Sequence, residues 1–184
     1  MAKKGEVSQF EKQKMARPTL LSIIESLVDE ELREMGFELL EYLASLRSNP
    51  SWYATNSYSV SYKGKRVCLI RVDPNYLEYD IKRLKEGKPE RADRFIVHIK
   101  TPKMSMLSAH LNSISDEERN FYLKALNCRY CSKCKPGITM KLDTMVLADI
   151  CFKCVSFRNP AREHLNAIKS LIELRRKDIA EGQI

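Results

Sequence analysis

Apolar positions recur at helical spacing in the first part of the chain. A first stretch runs from Leu20 to Leu27. After Asp29 a second stretch has one apolar face, formed by Leu32, Met35, Leu39, Leu40, Leu43 and Leu46. Offsets of three and four residues predict two helices. We expect Asn49-Pro50 to close the second one, because the residue before a proline is disfavoured in the helical region.

The pattern then changes to alternation. Tyr58, Val60 and Tyr62 alternate with serines, residues 63–65 (Lys-Gly-Lys) can turn, and residues 67–72 return as an apolar segment. This predicts a β-hairpin. Residues 95–99 predict another strand, which ends before Pro102. Residues 76–84 fit a strand or a short helix equally, and residues 86–94 are expected to form a polar loop.

The C-terminal half predicts three further helices and a second hairpin. One helix is expected around residues 104–111, and one is opened by Ser115 with Glu118 at capping-box spacing. Apolar and polar residues alternate over 138–142, which predicts a hairpin within 138–150. Asn159-Pro160 is expected to start the last helix as its N-cap and first residue. The buried stripe of that helix is predicted to be Leu165, Ile168, Leu171 and Ile172.

A cluster of cysteines precedes this last helix. Five of the six cysteines occur as C-x2-C-x2-C, sixteen further residues and C-x2-C, at positions Cys128, Cys131, Cys134, Cys151 and Cys154. A C-x2-C turn aims two thiolates at one point, and a second turn 15 to 20 residues later can complete a tetrahedral shell. We predict that four of these five residues bind a structural Zn(II).

The spacing leaves the ligand set open. Cys131 and Cys134 with the second pair fit a zinc-ribbon layout, Cys128 and Cys131 with the same pair fit nearly as well, and the first three with Cys151 are a third possibility. The compact first run also resembles the ligand run of bacterial ferredoxins, but their fourth cysteine followed by proline is missing. Zinc is therefore favoured over an iron–sulfur cluster. Cys68 stands apart and is expected to be a small apolar core residue.

Length and composition predict a cytoplasmic protein with one main domain. The 184 residues suffice for one core. They include no run of 18 apolar residues and no secretory leader. Residues 1–17 predict a basic flexible arm or a fraying helix. Residues 18–184 predict a single α+β domain, an antiparallel sheet flanked by helices, with the cysteine-rich zinc module at 126–158. In a reducing compartment such cysteines are metal ligands rather than disulfides.

Positive charge is concentrated around the cysteines. The net charge is +8. Residues 122–158 hold two aspartates and seven cations, Lys124, Arg129, Lys133, Lys135, Lys141, Lys153 and Arg158. These cations could balance the negative charge of four thiolates around a divalent metal, or they could bind nucleic acid. The partner could therefore be a nucleic acid or another protein, and we expect no membrane association.

An aromatic group gives a second candidate site. Its members are Trp52, Asn56, Tyr58 and Tyr62, and alternate residues of such a hairpin share a face that could line a pocket. The competing interpretation is ordinary packing of half-buried strands. In that case Trp52, the only tryptophan, should be largely buried opposite the stripe of Leu39 and Leu43.

The sequence lacks the motifs of several enzyme classes. The six glycines are isolated, so neither a P-loop nor a dinucleotide-binding turn is present. The three histidines lie beside no recognisable nucleophile or metalloprotease signature. The pair Glu163-His164 is expected to lie on an exposed polar face. We therefore predict no catalytic residues.

The chain resembles a family of small uncharacterised bacterial α+β proteins. The resemblance lies in residues 52–58 (Trp-Tyr-Ala-Thr-Asn-Ser-Tyr), in residues 62–65 (Tyr-Lys-Gly-Lys) and in the strand that follows them. That family is related to iron-chaperone or frataxin-like domains of unknown function. The resemblance spans residues 30–100 and 155–178 and implies a curved antiparallel sheet flanked by helices. The cysteine module is an addition, and four thiolates would hold a metal too tightly for iron delivery.

These patterns together predict a non-enzymatic cytosolic protein with structural zinc and a binding or regulatory role. One alternative is a nucleic-acid-binding protein that uses the basic zinc module. Another is a small-molecule-binding or enzymatic α+β domain that uses the aromatic face of the sheet.

Overall fold

A computed structural model of the chain describes residues 8–74, 85, 94–126, 137–142, 146–151 and 153–182. Three of the predicted metal ligands, Cys128, Cys131 and Cys134, lie outside the described residues. So do residues 76–84, for which strand and helix were both open, and nearly all of the predicted polar loop.

The described residues contain six α-helices: α1 (Gln9–Ala16), α2 (Leu20–Glu25), α3 (Glu30–Ser45), α4 (Met104–Ser113), α5 (Asp116–Leu126) and α6 (Leu165–Glu181). Two predicted starts are confirmed by their caps. The Asp29 carboxylate accepts a hydrogen bond from the Leu32 N–H at 3.1 Å, and the Ser115 hydroxyl accepts one from the Glu118 N–H at 3.2 Å. No helix in the described part of the chain has both the length and the apolar character that crossing a membrane requires.

The strands are β1 (Ser51–Ala54), β2 (Ser57–Tyr62), β3 (Lys65–Val72), β4 (Phe95–Lys100), β5 (Ile138–Lys141), β6 (Val146–Ile150) and β7 (Cys154–Arg158). Five form an antiparallel sheet in the order β1-β2-β3-β4-β7, and β5 pairs with β6 separately. The predicted α+β class and both predicted hairpins are confirmed. At the β2–β3 turn, Lys63 and Gly64 both have positive φ (47° and 73°), the two-residue turn that matches strand twist.

One face of the sheet carries the core. Alternate residues of β2 to β4 and β7 point to it, and α6 packs across β3 and β4 with α3 and α4 beside it. The predicted stripe of α6 is confirmed, since Leu165, Ile168, Leu171 and Ile172 are all buried. The edge strand β7 was not predicted. It extends the main sheet into the sequence range assigned to the cysteine module.

The predicted start of the last helix is wrong. Asn159 has φ 42°, and its side-chain oxygen accepts hydrogen bonds from the N–H groups of Arg94 and Phe95. Asn159 therefore ties the end of β7 to the start of β4. A short 3-10 turn, Arg162–His164, comes before α6. An asparagine before proline signals a break in the chain, but that break can end a strand as well as start a helix.

Candidate functional site

The second cysteine pair lies where the small hairpin meets the main sheet. Cys151 follows β6 and is only 2% exposed, while Cys154 is half-buried and begins β7. The Cys151 N–H donates a hydrogen bond of 3.2 Å to the carbonyl oxygen of Leu126, the last residue of α5. The structure therefore holds Cys151 against the end of α5, the helix that precedes the first cysteine run in the sequence.

Polar groups surround Cys154 on the face of the sheet opposite the core. The Ser156 hydroxyl lies 3.8 Å from Cys154 Sγ and 2.7 Å from His98 Nδ1. In the β4–β7 register His98 faces Ser156 directly. Neither residue was singled out from the sequence. The signal that could have found His98 is its place as the one polar residue within the apolar run from Phe95 to Ile99.

Within the described ranges, no three His, Cys, Asp or Glu side chains come close enough to hold a metal ion. Cys151 and Cys154 belong to those ranges, but the other three cysteines of the predicted ligand set do not. Cys68 is fully buried in β3, and burial raises the pKa of its thiol to about 12. Cys68 therefore stays protonated and apolar in character, as predicted.

The aromatic group divides into a pocket and two structural contacts. Trp52 and Tyr58 face each other across β1 and β2 and line one cavity of about 510 Å³. The Tyr58 hydroxyl and Trp52 Nε1 are both buried without a hydrogen-bond partner. Burial raises the pKa of Tyr58 to about 12, so its hydroxyl remains neutral at physiological pH.

The other two predicted pocket residues do not line this cavity. Asn56 exchanges two hydrogen bonds with the Gln13 side chain, at 2.6 and 2.8 Å. Tyr62 packs under the Arg176 guanidinium, which lies 4.4 Å from its ring centre. Both side chains connect helices to the sheet, and of the four predicted residues Trp52 and Tyr58 line this cavity.

The remaining pocket wall comes from the N-terminal region. Arg17, Pro18 and Thr19 line the cavity together with Pro50 and Ser51. The Phe10 ring lies 6.1 Å from that of Trp52. Residues 9–16, for which an arm or a fraying helix was expected, form α1 with a reciprocal capping box between Ser8 and Glu11. Trp52 is half-buried rather than largely buried, and α1 packs beside its strand through Phe10.

A second cavity, of about 430 Å³, lies between α5 and the start of α6. His164 stacks on Phe121 with ring centres 3.9 Å apart, and Glu117, Glu118 and Glu163 line the same cavity. His164 Nε2 lies 3.7 Å from a carboxylate oxygen of Glu163, its neighbour in the chain. The stacked ring contact shows that His164 packs against Phe121.

No protein-family model, curated protein or solved structure matches the chain. The resemblance to frataxin-like proteins therefore remains a prediction, and functional inference depends on the two sites described above.

Proposed function

We propose that this protein is a non-enzymatic, cytosolic binding or regulatory protein in which four of Cys128, Cys131, Cys134, Cys151 and Cys154 hold one structural Zn(II). The observation that carries the proposal is the hydrogen bond from the Cys151 N–H to the Leu126 carbonyl. Cys128 follows Leu126 by two residues, which span at most about 7 Å of chain. The chain geometry therefore allows thiolates from both cysteine runs to reach one metal.

The surroundings of Cys154 support a thiolate at that position. Ser156 can donate its single hydroxyl proton to the sulfur while it accepts a hydrogen bond from a His98 ring protonated on Nδ1. Each donor then has one acceptor. Hydrogen bonds of this kind orient metal ligands and stabilise their negative charge.

A structural role follows from the ligand chemistry. Four thiolates fill a tetrahedral shell and leave no position for water or substrate, so the metal would not catalyse hydrolysis. The metal would instead stabilise the fold, because it would join the end of α5, the β5–β6 hairpin and the edge strand β7.

Metal analysis of the purified protein tests the proposal. We expect about one zinc per chain, and we expect Cys151→Ser and Cys154→Ser to lower that content. The matched control is Cys68→Ala, which removes a thiol from the core and should retain the metal. Iron with visible charge-transfer absorption, or full zinc content in both serine variants, would contradict the proposal.

A second measurement addresses the residues around the metal. Ser156→Ala should retain the metal but release it to a chelator about tenfold or more faster, the usual consequence of removing a residue that supports a ligand. Ser61→Ala changes an exposed serine elsewhere in the sheet and serves as the control. Equal release rates in the two variants would show that Ser156 does not support a ligand.

A further inference from the structure

The face of the main sheet opposite the core carries charges of one sign. The strands β1, β2, β3, β4 and β7 contain no aspartate or glutamate. The register of the sheet and a hydrogen bond from Arg66 Nε to the Ser59 hydroxyl place four cations on that face, Arg66, Arg71, Lys100 and Arg158. We call the surface that carries these four residues the outer face. Its charge suits an anionic partner.

The outer face is accessible to such a partner. Five of its residues, distributed over β1 to β4, are exposed: Ser51, Tyr53, Ser61, Arg71 and Lys100. The helices α3, α4 and α6 pack on the core side instead. Among the described residues, no ion pair involves Arg66, Arg71 or Lys100. Their charges are therefore available for binding.

The cations are spread along the outer face. Arg66 and Arg71 lie near opposite ends of β3, about 15 Å apart along an extended strand. Lys100 follows Ile99, which pairs with Cys68, so Lys100 lies at the Arg66 end. A small anion bound at one end cannot reach the other, whereas an extended polyanion can contact both.

An aromatic ring lies beside these charges. The Arg66 guanidinium is 4.3 Å from the ring centre of Tyr53, and Tyr53 is 53% exposed. Bases of single-stranded nucleic acids stack on aromatic rings and on guanidinium planes. An acidic peptide would use the charges alone. The ring therefore favours a nucleic acid with unpaired bases.

We propose that the outer face binds single-stranded RNA. Its phosphates pair with Arg66, Arg71 and Lys100, and one base stacks on Tyr53. The exposed hydroxyls of Ser51 and Ser61 favour RNA over DNA, because a hydroxyl can exchange hydrogen bonds with the ribose 2′-OH. This inference names a partner for the binding role proposed above and rests on that role, but it does not depend on the zinc site.

Fluorescence anisotropy of a labelled oligouridylate tests the proposal. We expect saturable binding of an oligomer of about 12 nucleotides with a Kd of about 10 µM or tighter at about 0.05 M salt, and weaker binding as the salt concentration rises. The matching oligodeoxyuridylate should bind about threefold or more weakly, because it lacks the 2′-OH.

Two kinds of variant separate charge from stacking. Arg71→Gln and Lys100→Gln should each reduce the slope of log affinity against log salt by about 0.7, the value for one phosphate contact with a single strand. The matched control is Lys65→Gln. Lys65 is also exposed on β3, but it pairs with Tyr62, whose ring packs against Arg176 of α6 on the core side.

Tyr53→Ala should weaken oligouridylate binding by about tenfold while leaving the salt slope unchanged, because a stacked base contributes no ionic contact. Tyr53→Phe keeps the ring and should bind as the wild type does. Equal losses in the two variants would show that no base stacks on Tyr53.

Four other results would overturn the proposal. They are a lack of saturable binding at low salt, an equal change of slope in Lys65→Gln and Arg71→Gln, equal affinity for the RNA and DNA oligomers, and equally strong competition by polyglutamate of the same charge. Zinc content is measured separately. A zinc-loaded protein that fails to bind the oligomer would therefore contradict this inference alone, and a zinc-free protein that binds it would contradict the metal site alone.

Discussion

At the scale of single residues, Asn159 joins β7 to the start of β4 through two residues that precede it by more than sixty positions. Its side-chain oxygen accepts hydrogen bonds of 2.8 and 2.9 Å from the N–H groups of Arg94 and Phe95. Its own N–H donates to the Phe95 carbonyl at 2.7 Å. Asparagine tolerates the left-handed backbone at this position better than most residues.

Asn159→Ala should therefore lower the free energy of unfolding by about 2–4 kcal/mol. The change removes the acceptor of two backbone N–H groups and places an alanine in the left-handed region. Urea denaturation would measure it. Asn120→Ala, on the exposed side of α5, should change stability by less than about 0.5 kcal/mol, and equal effects of the two variants would argue against this role for Asn159.

His110 gives the protein a dependence on acid pH. Its Nε2 lies 3.3 Å from the Tyr122 hydroxyl oxygen. The Tyr122 hydroxyl donates its only proton to the Ala167 carbonyl at 2.6 Å, so the imidazole must donate from Nε2. Burial lowers the pKa of His110 below its ordinary value of 6.5, while Glu118 acts in the opposite direction. The unfolded chain then binds the proton more readily than the folded one.

Stability contributed by neutral His110 is present above pH 6.5 and falls as the pH drops below that value. His110→Gln should make the urea midpoint less sensitive to a change from about pH 7 to about pH 5, because it removes the group that must be protonated. A wild-type-like loss of stability in the variant over that interval would assign the acid sensitivity to other groups.

At the scale of elements, Cys151 and Cys154 lie at the edge of the main sheet, after β6 and at the start of β7. Among the strands that the structure describes, β7 is an edge strand paired with β4, and β5 and β6 pair with each other. In contrast, β2, β3 and β4 form the centre of the sheet beneath α6. Loss of a metal that joins these elements should therefore be felt first at the edge.

Cys151→Ser should accordingly raise hydrogen–deuterium exchange in β5, β6 and β7 while β2 to β4 stay protected. Mass spectrometry of peptides from each strand would measure this, with Cys68→Ala as the control that should leave the edge unchanged. A uniform rise across all strands would show that the cysteine region is an integral part of the core.

At the scale of the whole molecule, the net charge of +8 would favour contact with the phosphates of a nucleic acid. Lys141 and Lys153 are exposed near the cysteine segments, whereas Lys133 and Lys135 lie outside the described residues. A charged patch alone supplies a weak, salt-dependent term. The described elements offer no row of exposed aromatic side chains beside these lysines on which bases could stack.

We expect micromolar or weaker binding to duplex DNA near physiological salt. If contacts exist, Lys141→Gln and Lys153→Gln should each reduce the slope of log affinity against log salt by about 0.9, and Lys65→Gln at the distant β2–β3 turn should not. A nanomolar, sequence-selective complex with DNA at that salt would contradict this expectation. It would favour a nucleic-acid-binding protein over a structural-zinc protein that binds some other partner.

Much of the fold follows from local patterns. The helix starts at Asp29 and Ser115 and the Lys63-Gly64 turn were predictable, because capping and turn geometry depend on residues within a few positions. The strand β7 and the role of Asn159 were not. Both depend on pairing with β4, which lies more than fifty residues earlier. The residues next to β7 in the sequence do not specify that partner.

The two candidate sites show the same division. The sequence alone determined that five cysteines have metal-ligand spacing and that Trp52 and Tyr58 could share a face, since spacing and alternation are properties of the chain. Only the tertiary structure decided that Cys151 meets the end of α5 and that Asn56 and Tyr62 hold helices. It also placed Arg17 beside the cavity that Trp52 and Tyr58 line. Those outcomes depend on which distant surfaces pack together, and packing is decided by the whole core rather than by any one segment.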